Sequence, residues 1–229
     1  TPPPPMGDPP TMTREGRALV LALLLSLAAT ALYVRTLPPT VVGGDSGEIV
    51  VCAWKLALPH PPGYPLITLL GHVFMHFLLP FGEPAWRMGV LNALFAGAAV
   101  GLIFLCVWRV TRCSLSSALA AVLYALAPLN WLYATTPEVF ALNNLFTALL
   151  LLLLAHHTEA PALLTARAGA LACGLALANQ HTASLFVLPC ALHSLHAHAA
   201  HIRTHPAELL VWGGLFSSAL LLPYAILIA

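Results

Sequence analysis

The chain has 229 residues, of which 59% are hydrophobic and 7% charged, with a formal net charge of +1. An average soluble domain is about 45–50% apolar and about 25% charged, so the composition is that of a membrane protein, and the near-neutral balance leaves no electrostatic footprint for nucleic acid. Five cysteines at 52, 106, 113, 173 and 190 form no C-x-x-C pair, which argues against both a disulfide framework and a zinc cluster.

Residues 1–13 are too proline-rich to bury a core, and 1–17 are expected to be a disordered cytoplasmic leader. Between Arg17 and Arg35 run 17 uncharged residues, near the lower limit for crossing a bilayer, with no cleavage site after them; this is the first expected span. Further uncharged runs at 88–108, 114–133, 139–155, 163–178, 182–200 and 207–228 bring the expected total to about seven. The segment 64–79 is short enough to lie at the interface instead of crossing. If it does not cross, Arg14, Arg17, Arg109, Arg112, Arg167 and Arg203 share the cytoplasmic side, and only Arg35, Lys55 and Arg87 face away. If it crosses, that count of six against three inverts, which the positive-inside tendency disfavours. Residues 35–87 are therefore expected to form one large lumenal loop with juxtamembrane helices. Residues 18–229 then form an all-α, polytopic helix bundle.

This topology places Asp45, Glu48, His60, Glu138 and Asn179–His181 on one membrane face. Two of the eight acids fall in Gly43-Gly44-Asp45-Ser46-Gly47-Glu48, directly after a span. A capped helix over Ser46–Leu58, with Asp45 near its N-cap and Glu48 in its first turn, explains them as readily as a catalytic site does. The string is not a serine-hydrolase elbow, because Ser46 and Gly47 are adjacent, and it is not a P-loop, because no lysine follows the glycines. His60-Pro61-Pro62-Gly63-Tyr64-Pro65 reads as a rigid turn that could equally be helix punctuation. Glu138, after Pro137, sits at the start of a span. Asn179-Gln180-His181 interrupts an apolar run, as a binding site or a loop would. His72 and His76, four apart, and the histidines from 193 to 205 lack further ligands in metal-binding order, so no metal site is expected. Gly97-x-x-x-Gly101 fits close helix packing.

The strings GGDSGEIVVCAWKLALPHPPGYPLITLL, ATTPEVFALNNLF and GLALANQHTA, in this order, resemble the GT-C membrane glycosyltransferases, and within them the branch that O-mannosylates the IPT domains of plexins and of the hepatocyte-growth-factor receptor kinases. The resemblance implies a GT-C-like, multi-pass enzyme of the endoplasmic reticulum membrane. Its N-terminus would be cytoplasmic and its active-site loop lumenal, and mannose would pass from dolichyl-phosphate mannose to Ser or Thr hydroxyls without a further cofactor. The resemblance implies that Asp45, in the place of the family's acidic residue in the first lumenal loop, is the general base and that Glu48, the second catalytic residue, supports the acceptor or the sugar hydroxyls; the residues themselves leave either carboxylate as the base, because both could reach one substrate. His60 and Tyr64 would border the pocket, Arg87 would face the leaving phosphate, and Glu138, Asn179 and His181 would shape the sugar site. Two departures stand out: Gln180 occupies a position where histidine is expected, and the chain stops within the apolar run 223–229, as an N-terminal piece would. A transporter and an inactive truncated scaffold are the competing readings. The first fits poorly with acids that lie in loops and not within spans.

Overall fold

A computed structural model describes residues 13–228, and the regular elements among its described residues are all helices, with no strand. The structure of residues 1–12, most of the expected leader, lies outside this range. Residues 14–17 belong to the first helix and not to a leader, because Thr13 caps it by accepting from the Gly16 N–H at 3.1 Å.

Helix α1 covers Arg14–Arg35 and α2 Ser46–Lys55; α3 covers Pro65–Val73 and continues through a π turn at Phe74–Leu78. After these come α4 (Pro84–Thr111), α5 (Ser114–Leu126), α6 (Pro128–Thr135), α7 (Phe140–Glu159), α8 (Leu163–Asn179), α9 (Ser184–Ala197), α10 (Ala199–Thr204) and α11 (Ala207–Ile228). Among the described residues, α1, α4, α7 and α11 are long and apolar enough to cross a membrane, and α5 with α6 makes a fifth if a pair bent by 63° is one span.

The expected count of seven is thus not reached, for readable reasons. Pro128 removes an amide donor and drives Ala127 to extended geometry (ψ 129°), which breaks 114–133 in two. The 17 residues of α8 reach about 25 Å at 1.5 Å per residue. The run 182–200 divides into a 3-10 turn at His181–Ala183, the 14 residues of α9 with Pro189 inside, and the start of α10; α9 reaches about 21 Å, against about 30 Å of hydrocarbon. Helix α2 also ends earlier than Leu58, because Leu56 turns left-handed at φ 54°.

Helix α4 is the central post, packing along α1, α5 and α7, while α8 packs along α11 and α7. Small residues permit these approaches. A Cβ added at Gly101 would lie 3.2 Å from the Ala22 carbonyl, and one at Gly97 would overlap Thr30, so both glycines seat α4 directly on α1. Leu19, Leu23, Leu24 and Leu27 stay exposed on the other side of α1, an apolar surface that a bilayer would accept.

The two ends of the bundle differ. At one end Arg109 meets Glu159 at 2.7 Å, Arg112 meets Glu159 at 3.2 Å and Glu15 at 3.9 Å, and Arg167 meets Glu208 at 2.8 Å. Three of the six arginines that the charge count assigned to one face thus pair with acids at this end. The other end holds the α1–α2 loop, the turn before α3, the start of α7 and the ends of α8 and α11.

Candidate functional site

At that second end the Gly43-Gly44-Asp45 segment turns into α2. Gly44 has φ +80°, a conformation that costs an L side chain about 1–2 kcal/mol, and a Cβ there would stand 2.8 Å from Glu138 Oε1. Asp45 occupies the N-cap position expected of it, yet its side chain makes no capping bond. The carboxylate therefore remains available, with 57% of its side chain exposed.

Glu48, in the first turn of α2, is fully engaged. One of its oxygens accepts the His60 backbone N–H at 2.6 Å and the other the ring Nδ1–H at 2.7 Å. These bonds hold Glu48 below the usual carboxylate range, and the same contact raises the His60 imidazole above its ordinary value. With Nδ1 committed to Glu48, His60 Nε2 lies 3.8 Å from Asp45 Oδ2 and 3.4 Å from the Tyr64 hydroxyl. Tyr64 is itself pushed upward, by burial first and then by the surrounding carboxylates. The 60–65 segment holds these groups in place through a reversal at Gly63 (φ +106°).

Glu138 enters from the opposite side, in the turn before α7. Its Oε1 accepts the Asp45 backbone N–H at 3.2 Å, and burial raises its pKa above the ordinary carboxylate value. Residues 93 positions apart in sequence thus meet at Asp45.

Not every expected residue joins them. Arg87 donates to the carbonyls of Gly82 (2.7 Å) and Met75 (2.9 Å) and lies over the Trp54 ring, contacts that include no member of the Asp45 cluster. Asn179 is 1% exposed and donates to the Val139 carbonyl at 3.0 Å. His181 bonds the Tyr224 hydroxyl at 3.1 Å, and Tyr224 donates to the Pro62 carbonyl at 3.1 Å, tying α11 to the His60–Tyr64 turn. His72 and His76 face the Ala53 and Trp54 carbonyls at the end of α2, which accounts for them structurally.

Two contributors went unrecognised in the sequence. Asn92, in the middle of an apolar run, bonds the carbonyls of Thr136 and Glu138. Tyr224 lies in the final apolar stretch. A lone amide within a span-length run was the available signal for the first, and nothing local distinguished the second.

No metal ligand set was expected, but folding creates one possibility: Asp45, Glu48 and His60 each offer a ligand atom, all within 4.8 Å of one another. A cation there would have to displace the proton shared by His60 and Glu48, since a metal takes the unprotonated ring nitrogen. The arrangement as it stands fits proton handling: an open carboxylate, an imidazole oriented by a second carboxylate, and a third carboxylate bracing the backbone.

The fold and site together define a helical membrane protein with an acid–histidine centre at one end of its bundle. The family model described as "Protein O-mannosyl-transferase TMEM260 N-terminal domain" matches residues 45–203, and the chain belongs to this family. It is 41% identical over 172 residues to the mouse protein O-mannosyl-transferase TMEM260, covering 73% of this chain and 24% of that one. To the Dictyostelium discoideum protein O-mannosyl-transferase tmem260 it is 33% identical over 184 residues, covering 74% of this chain and 22% of the relative. The chain therefore spans about a quarter of the length of these curated relatives. No solved structure matches it. The family match begins at Asp45 itself and takes in Glu48, His60, Tyr64, Asn92 and Glu138, whereas Tyr224 falls outside it.

Proposed function

We propose that this chain carries the catalytic end of a protein O-mannosyltransferase that moves mannose from dolichyl-phosphate mannose to Ser or Thr hydroxyls of IPT domains, such as those of plexins and hepatocyte-growth-factor-receptor-type kinases. The reading places the protein in the endoplasmic reticulum membrane as a GT-C-like bundle of about seven crossings, with α8 and the 182–200 segment completing the count beside further parts of the enzyme. Residues 35–87 then face the lumen. The observation that carries the reading is the convergence of Asp45, Glu48, His60 and Glu138 within the family-matched region.

In this mechanism Asp45 is the general base. Glu48 is unsuited to that role, because both its oxygens already accept hydrogen bonds from His60, while Asp45 is open to an incoming hydroxyl. The acceptor oxygen attacks the anomeric carbon as Asp45 takes its proton. The bond from that carbon to the phosphate oxygen breaks, dolichyl phosphate leaves with the electron pair, and direct displacement inverts the anomeric configuration. The cation beside Asp45 is His60 in its protonated form, suited to offset charge on the phosphate. Arg87 acts one step back, bracing the loop through Gly82 and Met75. Tyr64 and His181 set the walls of the sugar pocket. A transporter is the weaker reading, because the carboxylates gather at the ends of the helices and not midway along them.

A pH dependence follows from the Glu48–His60 pair. Glu48, lowered from 4.5, contributes loop stability that is present above its unfolded value and lost as pH falls through its depressed folded one. His60, raised from 6.5, contributes stability that is fully present below 6.5 and lost as pH rises through its elevated folded value. The alkaline limb of mannosyl transfer is therefore expected above the ordinary imidazole range. Glu48→Gln should bring that limb back toward the ordinary range while lowering the maximum rate. A pH–rate profile of the wild-type and variant full-length proteins in microsomes checks this, and an alkaline limb unmoved by the variant would exclude the pair from catalysis.

A further inference from the structure

Three carbonyls at the start of α7 are held from two directions. Asn92, 0% exposed on α4, donates its side-chain amide to the Thr136 carbonyl and to the Glu138 carbonyl at 2.9 Å; Asn179, on α8, donates to the Val139 carbonyl at 3.0 Å. Every partner is an acceptor, so the amide orientation is forced: the NH2 groups must face the turn. Pro137 lies within the clamped turn and fixes φ there. The side-chain oxygens of both asparagines are left buried and unpartnered, which is costly, so these residues are poor choices for packing alone.

The clamp determines where the Glu138 carboxylate goes. With its backbone fixed on both sides, Glu138 reaches across to the Asp45 N–H, into space that exists because residue 44 has no Cβ. Asp45 has no side-chain capping bond of its own, so this contact is what registers its backbone against α7. We propose that Asn92, seconded by Asn179, is a positioning residue for the base Asp45 and acts through Glu138. The inference rests on the transferase reading and assigns Asn179 to the scaffold of the site instead of to sugar contact.

The test is a double-mutant cycle in the full-length protein in microsomes, with dolichyl-phosphate mannose as donor and a folded IPT domain as acceptor. Asn92→Leu keeps the volume close and removes the donors. It should lower kcat by about 10²-fold, the scale at which a misplacement of about 1 Å is felt, with donor KM unchanged. In a Glu138→Ala background the same change should alter kcat by no more than about twofold, because the link is already cut. Asn179→Leu removes the second donor of the clamp and should show the same lack of additivity with Glu138→Ala, so the clamp can be read even where Asn92→Leu fails to accumulate. Independent, multiplying losses would overturn the positioning role while leaving the transferase reading in place. A wild-type protein that transfers no mannose would remove that reading, and the proposal with it.

Discussion

Asp45→Asn is expected to lower mannosyl transfer by about 10²–10⁴-fold, the contribution of a positioned general base, at unchanged protein level. The swap preserves size, and it should preserve the local fold, because Asp45 makes no side-chain cap and its backbone N–H, the group that Glu138 holds, is retained. What it removes is the carboxylate of the cluster with neither oxygen held by a hydrogen bond, whereas Glu48 has both engaged and Glu138 one. Glu48 cannot substitute without disturbing a bond to His60, since each of its oxygens holds one. Donor binding should survive, so the loss should fall on kcat and not on KM. Radiolabelled mannose transferred to an IPT domain, normalised to enzyme level, reads the effect; equal transfer by the two proteins would leave Asp45 as a helix terminus and nothing more.

The second large effect is expected at Gly174→Val, where α8 packs against α11. A Cβ at residue 174 would overlap the Phe216 carbonyl oxygen and stand 2.8 Å from Ala219 Cβ and 3.1 Å from the Leu220 backbone nitrogen. Two of these three atoms are backbone, so no rotamer change relieves the contact and α8 must move away from α11. Overpacking of this kind costs about 1–3 kcal/mol, and in a close helix pair that depends on small residues the upper end applies. The consequence reaches the site, because α11 carries Tyr224, which bonds both His181 and the Pro62 carbonyl. Thermal stability of the detergent-solubilised variant should fall, and transfer should fall with it. Unchanged stability would contradict the close α8–α11 packing.

The acids around Asp45 were legible because acids are rare in this chain: eight in 229 residues, two of them within one glycine-rich hexapeptide. Asp45, Glu48, His60 and Glu138 could be placed on one face by counting charges along the chain, and the fold brings these four together. Arg87 could not be placed that way, because a charge count assigns a side of the membrane and says nothing about direction; its guanidinium turns to carbonyls five and twelve residues back. Asn92 was hidden by its surroundings, since its role depends on a turn 44–46 residues away.

The spans were legible as apolar runs but not as continuous helices. Hydropathy does not register the bend that Pro128 puts between α5 and α6, or the short 3-10 turn that starts α9 after His181. The end of α2 was overrun for a related reason: the left-handed residue that stops it is Leu56 and not a glycine, so composition carried no signal. The close seating of Gly97 and Gly101 on α1, by contrast, was visible in their four-residue spacing.

The most direct measurement is mass spectrometry of a folded IPT domain incubated with the purified full-length protein and dolichyl-phosphate mannose. A single hexose is expected on a Ser or Thr hydroxyl, dependent on the lipid-linked donor and carrying the inverted anomeric configuration. An unmodified acceptor, with intact enzyme and intact donor present, would contradict it and return the chain to the scaffold or transporter readings.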